Sequence, residues 1–141
     1  MAKPAVSVRE VEVQWGHYDP AGIVFYPNFY AWFDEASHAL MDRVGLDHNS
    51  LQTRFGIIGC GLIDTGARFR APARDGDVLR FESSVSALTS RTFRVDHHVS
   101  CGDVPVCDGY EVRGCFAGDA GKTGGIVAMA IPEEMRRALS D

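Results

Sequence analysis

The chain has 141 residues, a formal charge of −5 and 45% hydrophobic content. That length is enough for one domain with a real core, expected to span residues 1–141. The acidic balance argues against a general nucleic-acid binder, while leaving room for a local basic patch toward a phosphorylated ligand.

The first ten residues lack the apolar stretch of a secretory signal, and the apolar run at residues 126–131 is too short to span a membrane. No membrane partner is expected. Cys60, Cys101, Cys107 and Cys115 show no C-x-x-C spacing. Reduced thiols in a cytoplasmic protein account for them, with a Cys101–Cys107 disulfide as the alternative.

Residues 10–15 alternate, with Val11, Val13 and Trp15 on one side and Glu10, Glu12 and Gln14 on the other, which predicts a strand with one buried face. A Pro/Gly turn around Asp19 follows. From Asn28 the period changes: Phe29, Trp32, Phe33, Ala36, Leu40 and Val44 recur at helical spacing. Pro27 suits the first turn of that helix and Gly45 its stop. Residues 46–55 read as a short loop or a helical turn.

Beyond Gly56 the chain reads as strands. Ala67, Phe69 and Ala71 share a face; so do Leu79, Phe81, Val85 and Ala87; then Phe93, Val95, His97 and Val99; then Tyr110, Val112, Gly114 and Phe116. Turns are expected at residues 72–77, 88–90 and 101–103. Gly59, Gly61 and Gly66 suggest bends or bulges in a long first strand of this series. Residues 118–125 read as a loop, residues 126–131 as a last strand, and Pro132 opens a short helix through Leu139. The order is a strand, one long helix, then an antiparallel meander. This is an α+β arrangement in which a curved sheet of five to six strands wraps the helix. The sheet edges and its uncovered face favour self-association.

The chemistry concentrates at His17-Tyr18-Asp19-Pro20-Ala21-Gly22-Ile23-Val24-Phe25-Tyr26-Pro27-Asn28. This segment sets one carboxylate in a turn just ahead of a helix start, where backbone N–H groups are unpaired and the partial charge is positive. A base or nucleophile beside an oxyanion site is what acyl transfer requires.

With the order of elements, this string resembles the hotdog-fold acyl-CoA thioesterases, and among them the 4-hydroxybenzoyl-CoA thioesterase family. The resemblance is strongest over residues 15–37. It implies that Asp19 is the catalytic aspartate and that the Tyr26 backbone N–H polarises the thioester carbonyl. It implies further that Asp34 bonds the 4-hydroxyl of a benzoyl group, and that Arg91 and Thr92 meet the nucleotide phosphates of CoA. The implied reaction is hydrolysis of an aromatic acyl-CoA, of hydroxybenzoyl type, in a homo-oligomer that is at least a dimer and expected to be a tetramer. No cofactor is implied, since CoA is part of the substrate. Two positions depart from the pattern. His17 stands where the aromatic enzyme carries a carboxylate, and Pro27 stands where many short-chain members carry histidine after the tyrosine.

Each residue also has a plainer reading. Asp19 suits a turn and Asp34 the first half of a helix. His17, read functionally as a tuner of Asp19 or a substrate contact, is otherwise a turn histidine bonded to backbone. His38 is placed to pair with Asp34. His97 and His98 point to opposite faces of a strand, and no cluster has zinc spacing, so no metal is expected. Cys60 reads as a buried small hydrophobe. Arg68, Arg70, Arg91 and Arg94 are either a solvated face or, at Arg91 and Arg94, a phosphate contact. Three alternatives stand beside the aromatic hydrolase: a short-chain or other acyl-CoA thioesterase, a hotdog hydratase or dehydratase, and a non-enzymatic acyl-CoA-binding protein. The hydratase relatives pair an aspartate with a histidine five residues on, and Val24 occupies that position.

Overall fold

A 17-residue helix, α1 (Pro27–Arg43), lies against one face of a six-stranded antiparallel sheet. The computed structural model describes residues 5–118, 121 and 125–140. Around α1 the chain order is β1 (Val6–Glu12), α2 (His48–Phe55), β2 (Ile57–Phe69), β3 (Val78–Leu88), β4 (Thr92–Cys101), β5 (Val104–Gly118), β6 (Ile126–Met129) and α3 (Glu133–Ser140). The strands stand in the order β1-β3-β4-β5-β2, and β6 pairs with the end of β5. β1 and β2 are therefore edges.

The periodic stripe of α1 is its buried face: Phe29, Trp32, Phe33, Ala36, Leu40 and Met41 are all covered. Burying each large apolar side chain contributes about 1.5–3 kcal/mol. Phe33 sits at the centre, stacked on His97 with ring centroids 4.9 Å apart and edge-on to Phe81 at 6.1 Å. Gly109 makes room for it: a Cβ there would lie 2.4 Å from the Phe33 ring. Residues 46–55 resolve into a helix, α2, because the Asp47 carboxylate caps it by accepting Ser50 N at 3.2 Å and Gly56 ends it at φ +70°.

The first strand differs from its expected span. It ends at Glu12, and Trp15 is 85% exposed rather than on the buried face. The cause is a turn in which His17 N donates to Gln14 O at 3.0 Å and Gly16 takes φ +98°, so the alternation stops at Val13. In β3, a bulge between Val85 and Ala87 turns Ala87 outward opposite Arg94 and returns Leu88 to the inner face opposite Phe93. In β2 the register shifts fall after Ile57 and Leu62. Gly61 and Gly66 have a different function there, since the Phe116 and Tyr110 rings lie over them from β5.

In β5, Tyr110, Val112, Gly114 and Phe116 share a face as expected, and it is the outer one. Cys107, Gly109, Glu111, Arg113 and Cys115 face the helix. The register dictates this: Phe93, Val95 and His97 point inward, and their direct partners across the ladder are Arg113, Glu111 and Gly109. β6 is shorter than expected, and most of the loop expected at residues 118–125 lies outside the described residues. No helix of the described residues is long and apolar enough to cross a membrane, and all four cysteines are free thiols.

Candidate active site

The segment between Gln14 and Asn28 builds the amino end of α1. Beyond the Trp15 turn it forms a small hairpin bridged at Tyr18 and Val24. Gly22 N donates to Asp19 O and Asp19 N donates to Ile23 O, both at 2.9 Å. Pro20 and Ala21 make the corner, and Gly22, at φ +80°, takes the left-handed position that closes such a three-residue loop. Asp at the first position and Pro at the second favour this turn, so Asp-Pro-Ala-Gly specifies the loop locally.

Asp19 is half-buried. Its Oδ1 accepts Ala21 N at 2.8 Å, which is the turn role of an aspartate. Its Oδ2 has no hydrogen-bond partner among the described residues. Two bonds latch the hairpin to the helix. Phe25 N donates to His17 O at 2.9 Å, and Asn28 Nδ2 donates to the same oxygen at 2.7 Å. The His17 ring stands edge-on to Trp32, with centroids 5.1 Å apart. Its Nδ1 accepts Gln14 N at 3.0 Å, so the ring's proton is on Nε2. The backbone contact expected of a turn histidine is present, and Nε2 stays available as a donor.

Tyr26 is the N-cap of α1, and no side chain caps that end. Pro27 brings no N–H. Asn28 N donates to Phe25 O and Phe29 N to Tyr26 O, both at 3.0 Å. The Tyr26 N–H is left without a partner among the described residues. No acidic side chain in the first turn offsets the positive end of the helix. Tyr26 and Ile23 border a groove of about 460 Å³ whose walls include Phe29, Phe69 and Pro72, with Arg70 as its charged residue. Asp19 does not line the groove, but its backbone is bonded to Ile23, which does. A bare amide at the positive end of a helix therefore borders an apolar crevice, and a bare carboxylate oxygen stands in the adjoining turn. Such a site can hold a carbonyl oxygen as it gains negative charge.

The other expected site residues lie elsewhere in the chain. Asp34 is eight residues beyond Tyr26, about 12 Å along the helix axis. Its side chain is 54% exposed, and Oδ1 accepts Arg113 Nη2 at 2.6 Å. His38 Nδ1 donates to the Asp34 backbone carbonyl at 2.7 Å and stands 3.6 Å from Oδ2. Arg91 and Thr92 form the β3–β4 hairpin, where Thr92 N donates to Thr89 Oγ1 at 2.9 Å and the two threonine hydroxyls lie 2.8 Å apart. The Arg91 side chain is exposed. This hairpin is at the far end of the sheet: Thr92 pairs with Gly114, whereas the groove lies by Phe69, which pairs with Cys107. Seven residues of strand between Gly114 and Cys107 amount to about 23 Å. Within one chain, then, Asp19 and Tyr26 lie in the one segment that builds the amino end of α1, while Asp34 and the Arg91–Thr92 pair do not join them.

Sequence reasoning missed a polar network beneath the middle of α1. Ser37, Ser83, His97, Glu111 and Arg113 are all buried. Ser83 Oγ donates to His97 Nδ1 at 2.7 Å, and His97 Nε2 donates to Glu111 Oε1 at 3.1 Å; Ser37 Oγ donates to the same oxygen. Arg113 donates through Nη2 to Glu111 Oε2 at 2.7 Å and to Asp34, and through Nη1 to Cys60 O at 2.9 Å. Burial works against the Glu111 charge, but the bonds from His97 and Ser37 and the Arg113 cation hold its carboxyl down at about 2. Burial likewise opposes the Arg113 cation, and Glu111 and Asp34 outweigh it, raising its pKa. The signal was present in the alternation Cys107, Gly109, Glu111, Arg113, Cys115. It was hidden because the outer face of the same strand carries the larger apolar residues.

Two other features lie apart from the groove. A hollow of about 610 Å³ on the outer face of the sheet is lined by Tyr110 and by charged residues, with Arg94 paired to Asp96 at 2.9 Å and His98 to Asp108 at 2.8 Å. Cys60 faces Cys115 across the β2–β5 ladder; that contact and burial push its thiol up, which suits a packed thiol and not a nucleophile.

The profile of the thioesterase-like superfamily matches residues 13–139. The chain belongs to that superfamily. The match runs from the end of the first strand to the last helix, and the sheet with its central helix is the hotdog architecture. The chain is 33% identical over 89 residues to 4-hydroxybenzoyl-CoA thioesterase of Pseudomonas sp. strain CBS-3, a match covering 62% of this chain and 63% of that one. It is 25% identical over 104 residues to 1,4-dihydroxy-2-naphthoyl-CoA hydrolase of Synechococcus elongatus, covering 74% and 76%. A solved structure of 4-hydroxybenzoyl-CoA thioesterase, an Asp-to-Asn variant in complex with 4-hydroxybenzoyl-CoA, superposes with a TM-score of 0.88 at 27% identity, covering 96% of this chain and 99% of that one.

Proposed function

We infer that this protein hydrolyses the thioester of an aromatic acyl-CoA, of hydroxybenzoyl type, to CoA and the free acid. The observation that carries this reading is the bare Tyr26 N–H on the apolar groove, with the free Asp19 Oδ2 in the adjoining turn. The relatives named above act on aromatic CoA thioesters, which fits a groove walled by Phe29 and Phe69.

The Tyr26 N–H donates to the carbonyl oxygen of the thioester and steadies the negative charge that develops there. One such donor accounts for about 10²–10³ in rate. Asp19 works through Oδ2, by attacking the carbonyl carbon to give a mixed anhydride or by taking a proton from the attacking water. In both routes the carbon–sulfur bond breaks, CoA leaves as the thiol and water supplies the second carboxyl oxygen. The reaction uses no cofactor besides the CoA of the substrate. His17, through Nε2, is a polar contact at the same end of the helix.

Asp34 accepts the phenolic hydroxyl of the acyl ring. Its distance of about 12 Å from Tyr26 along the axis exceeds the length of a benzoyl group, so the Asp34 that meets the ring belongs to a second copy of the chain. Arg91 and Thr92 of another copy meet the CoA phosphates, since the hairpin that carries them is about 23 Å of strand away from the groove in the same chain. The free edge of β2, with Ile58, Leu62, Ile63 and Phe69 exposed, supports a homo-oligomer of at least two and, on this reading, four copies.

The test is thiol release, followed with a thiol-reactive dye, from matched aromatic and aliphatic acyl-CoA esters. We expect kcat/KM to favour hydroxybenzoyl esters. A preference for short aliphatic esters, or tight binding with no thiol release, would overturn the reading.

A further inference from the structure

The buried network under α1 reaches an exposed side chain at Asp34. Arg113 spans the gap: its side chain is 5% exposed, yet it reaches the Asp34 carboxylate, which is 54% exposed. Of the Asp34 oxygens, Oδ1 is held by Arg113 at 2.6 Å. Oδ2 has no hydrogen bond among the described residues, since the neighbouring His38 Nδ1–H is already given to the Asp34 carbonyl.

Stability alone is a poor account of this arrangement. Taking Glu111 and Arg113 out of water is costly, and buried ion pairs replaced by apolar groups of similar volume often leave a protein as stable or more so. Arg113 also keeps a buried Nε with no partner, an unfavourable feature that an apolar core would lack. What the network does achieve is geometric. Glu111 is fixed by Ser37 and His97, His97 by Ser83 and the Phe33 ring, and Arg113 by Glu111 and the Cys60 carbonyl. The guanidinium is therefore immobile before it meets Asp34. A surface aspartate on a helix otherwise samples several rotamers.

We propose that Arg113 is a positioning residue for substrate choice: by gripping Asp34 Oδ1 from inside the core, it presents Oδ2 in one place as the acceptor for a hydroxyl on the acyl ring. The inference rests on the hydrolase reading above and goes beyond it. Selectivity for hydroxylated rings is set from within the core, by a residue that never touches substrate.

The experiment compares 4-hydroxybenzoyl-CoA and benzoyl-CoA as substrates of the unaltered protein, Arg113→Lys, and the double variant Arg113→Met with Glu111→Gln. The double variant removes both buried charges together, so neither is stranded if the single change fails to fold. Lysine keeps the cation but cannot fork to Asp34, Glu111 and the Cys60 carbonyl at once. We expect kcat/KM for 4-hydroxybenzoyl-CoA to fall about 10- to 100-fold, the scale of one charge-assisted hydrogen bond, and mainly through KM. Benzoyl-CoA is expected to change by less than about threefold, within the scatter of a conservative substitution. Equal losses on both esters would overturn this inference and leave the thioesterase reading standing. Turnover of neither ester by the unaltered protein would overturn both.

Discussion

The amino end of α1 and its middle treat polar groups in opposite ways. At the end, the Tyr26 N–H and Asp19 Oδ2 are left bare beside a groove open to solvent. In the middle, Ser37, His97, Glu111 and Arg113 are buried and bonded to one another. An unmade bond costs little where water or a ligand can make it, and about 1–3 kcal/mol where neither can reach. On the proposed reading, the same helix carries a site for chemistry at one end and a rigid polar anchor about three turns further on. Changes at the end should alter turnover with little effect on stability, and changes in the middle should alter stability and, through Asp34, the choice between substrates.

The largest expected effect tests the first half of that contrast. Asp19→Asn should lower kcat about 10²–10⁴-fold, the range lost with a general base. Its thermal midpoint should move little, because asparagine keeps the turn bond to Ala21 N. The second half is tested by Glu111→Ala, which strands Arg113 and should cost about 3–5 kcal/mol in urea denaturation. Gly109→Ala drives a methyl to 2.4 Å from the Phe33 ring; overpacking of this kind costs about 1–3 kcal/mol, read by the same denaturation. Asn28→Ala removes one latch on His17 O and should cost about 1 kcal/mol, with a loss of rate as the Asp19 hairpin loosens against the helix.

Acid gives a separate handle on the anchor. Glu111 is held at about 2, below its ordinary 4.5. A depressed carboxyl contributes stability above the unfolded value and loses it as pH falls through the folded one. The unaltered protein should therefore lose stability from about pH 4.5 down to about 2, and Glu111→Gln should lose less over that interval. Parallel curves for the two proteins would mean that Glu111 is not an ionised anchor.

The same contrast decides what was legible in the sequence. The Asp19 loop was readable because its determinants are local: Asp-Pro-Ala-Gly specifies the turn, and Pro27 marks the helix start. The stripe from Phe29 to Leu40 fixed the span and inner face of α1 in the same way. The anchor was not readable from single strands, because its members come from α1, β3, β4 and β5 and meet only through register. Tyr110, Val112 and Phe116 are the larger apolar residues of β5, yet the pairing of Val95 with Glu111 and Phe93 with Arg113 sends them outward. Trp15 failed for a local reason, since a turn at Gly16 ends the alternation that Trp15 continues in the sequence. The separation of Asp34 and Arg91 from Asp19 was equally invisible, because a family pattern does not give the distances between its residues within one chain.

The most direct measurement is a structure of the Asp19→Asn protein with uncleaved 4-hydroxybenzoyl-CoA bound. The account predicts the thioester oxygen about 2.7–3.1 Å from Tyr26 N, with the side chain at position 19 turned toward the carbonyl carbon. An ester lodged in the outer hollow beside Tyr110, or one whose carbonyl points away from a Tyr26 N–H that stays bare, would contradict it.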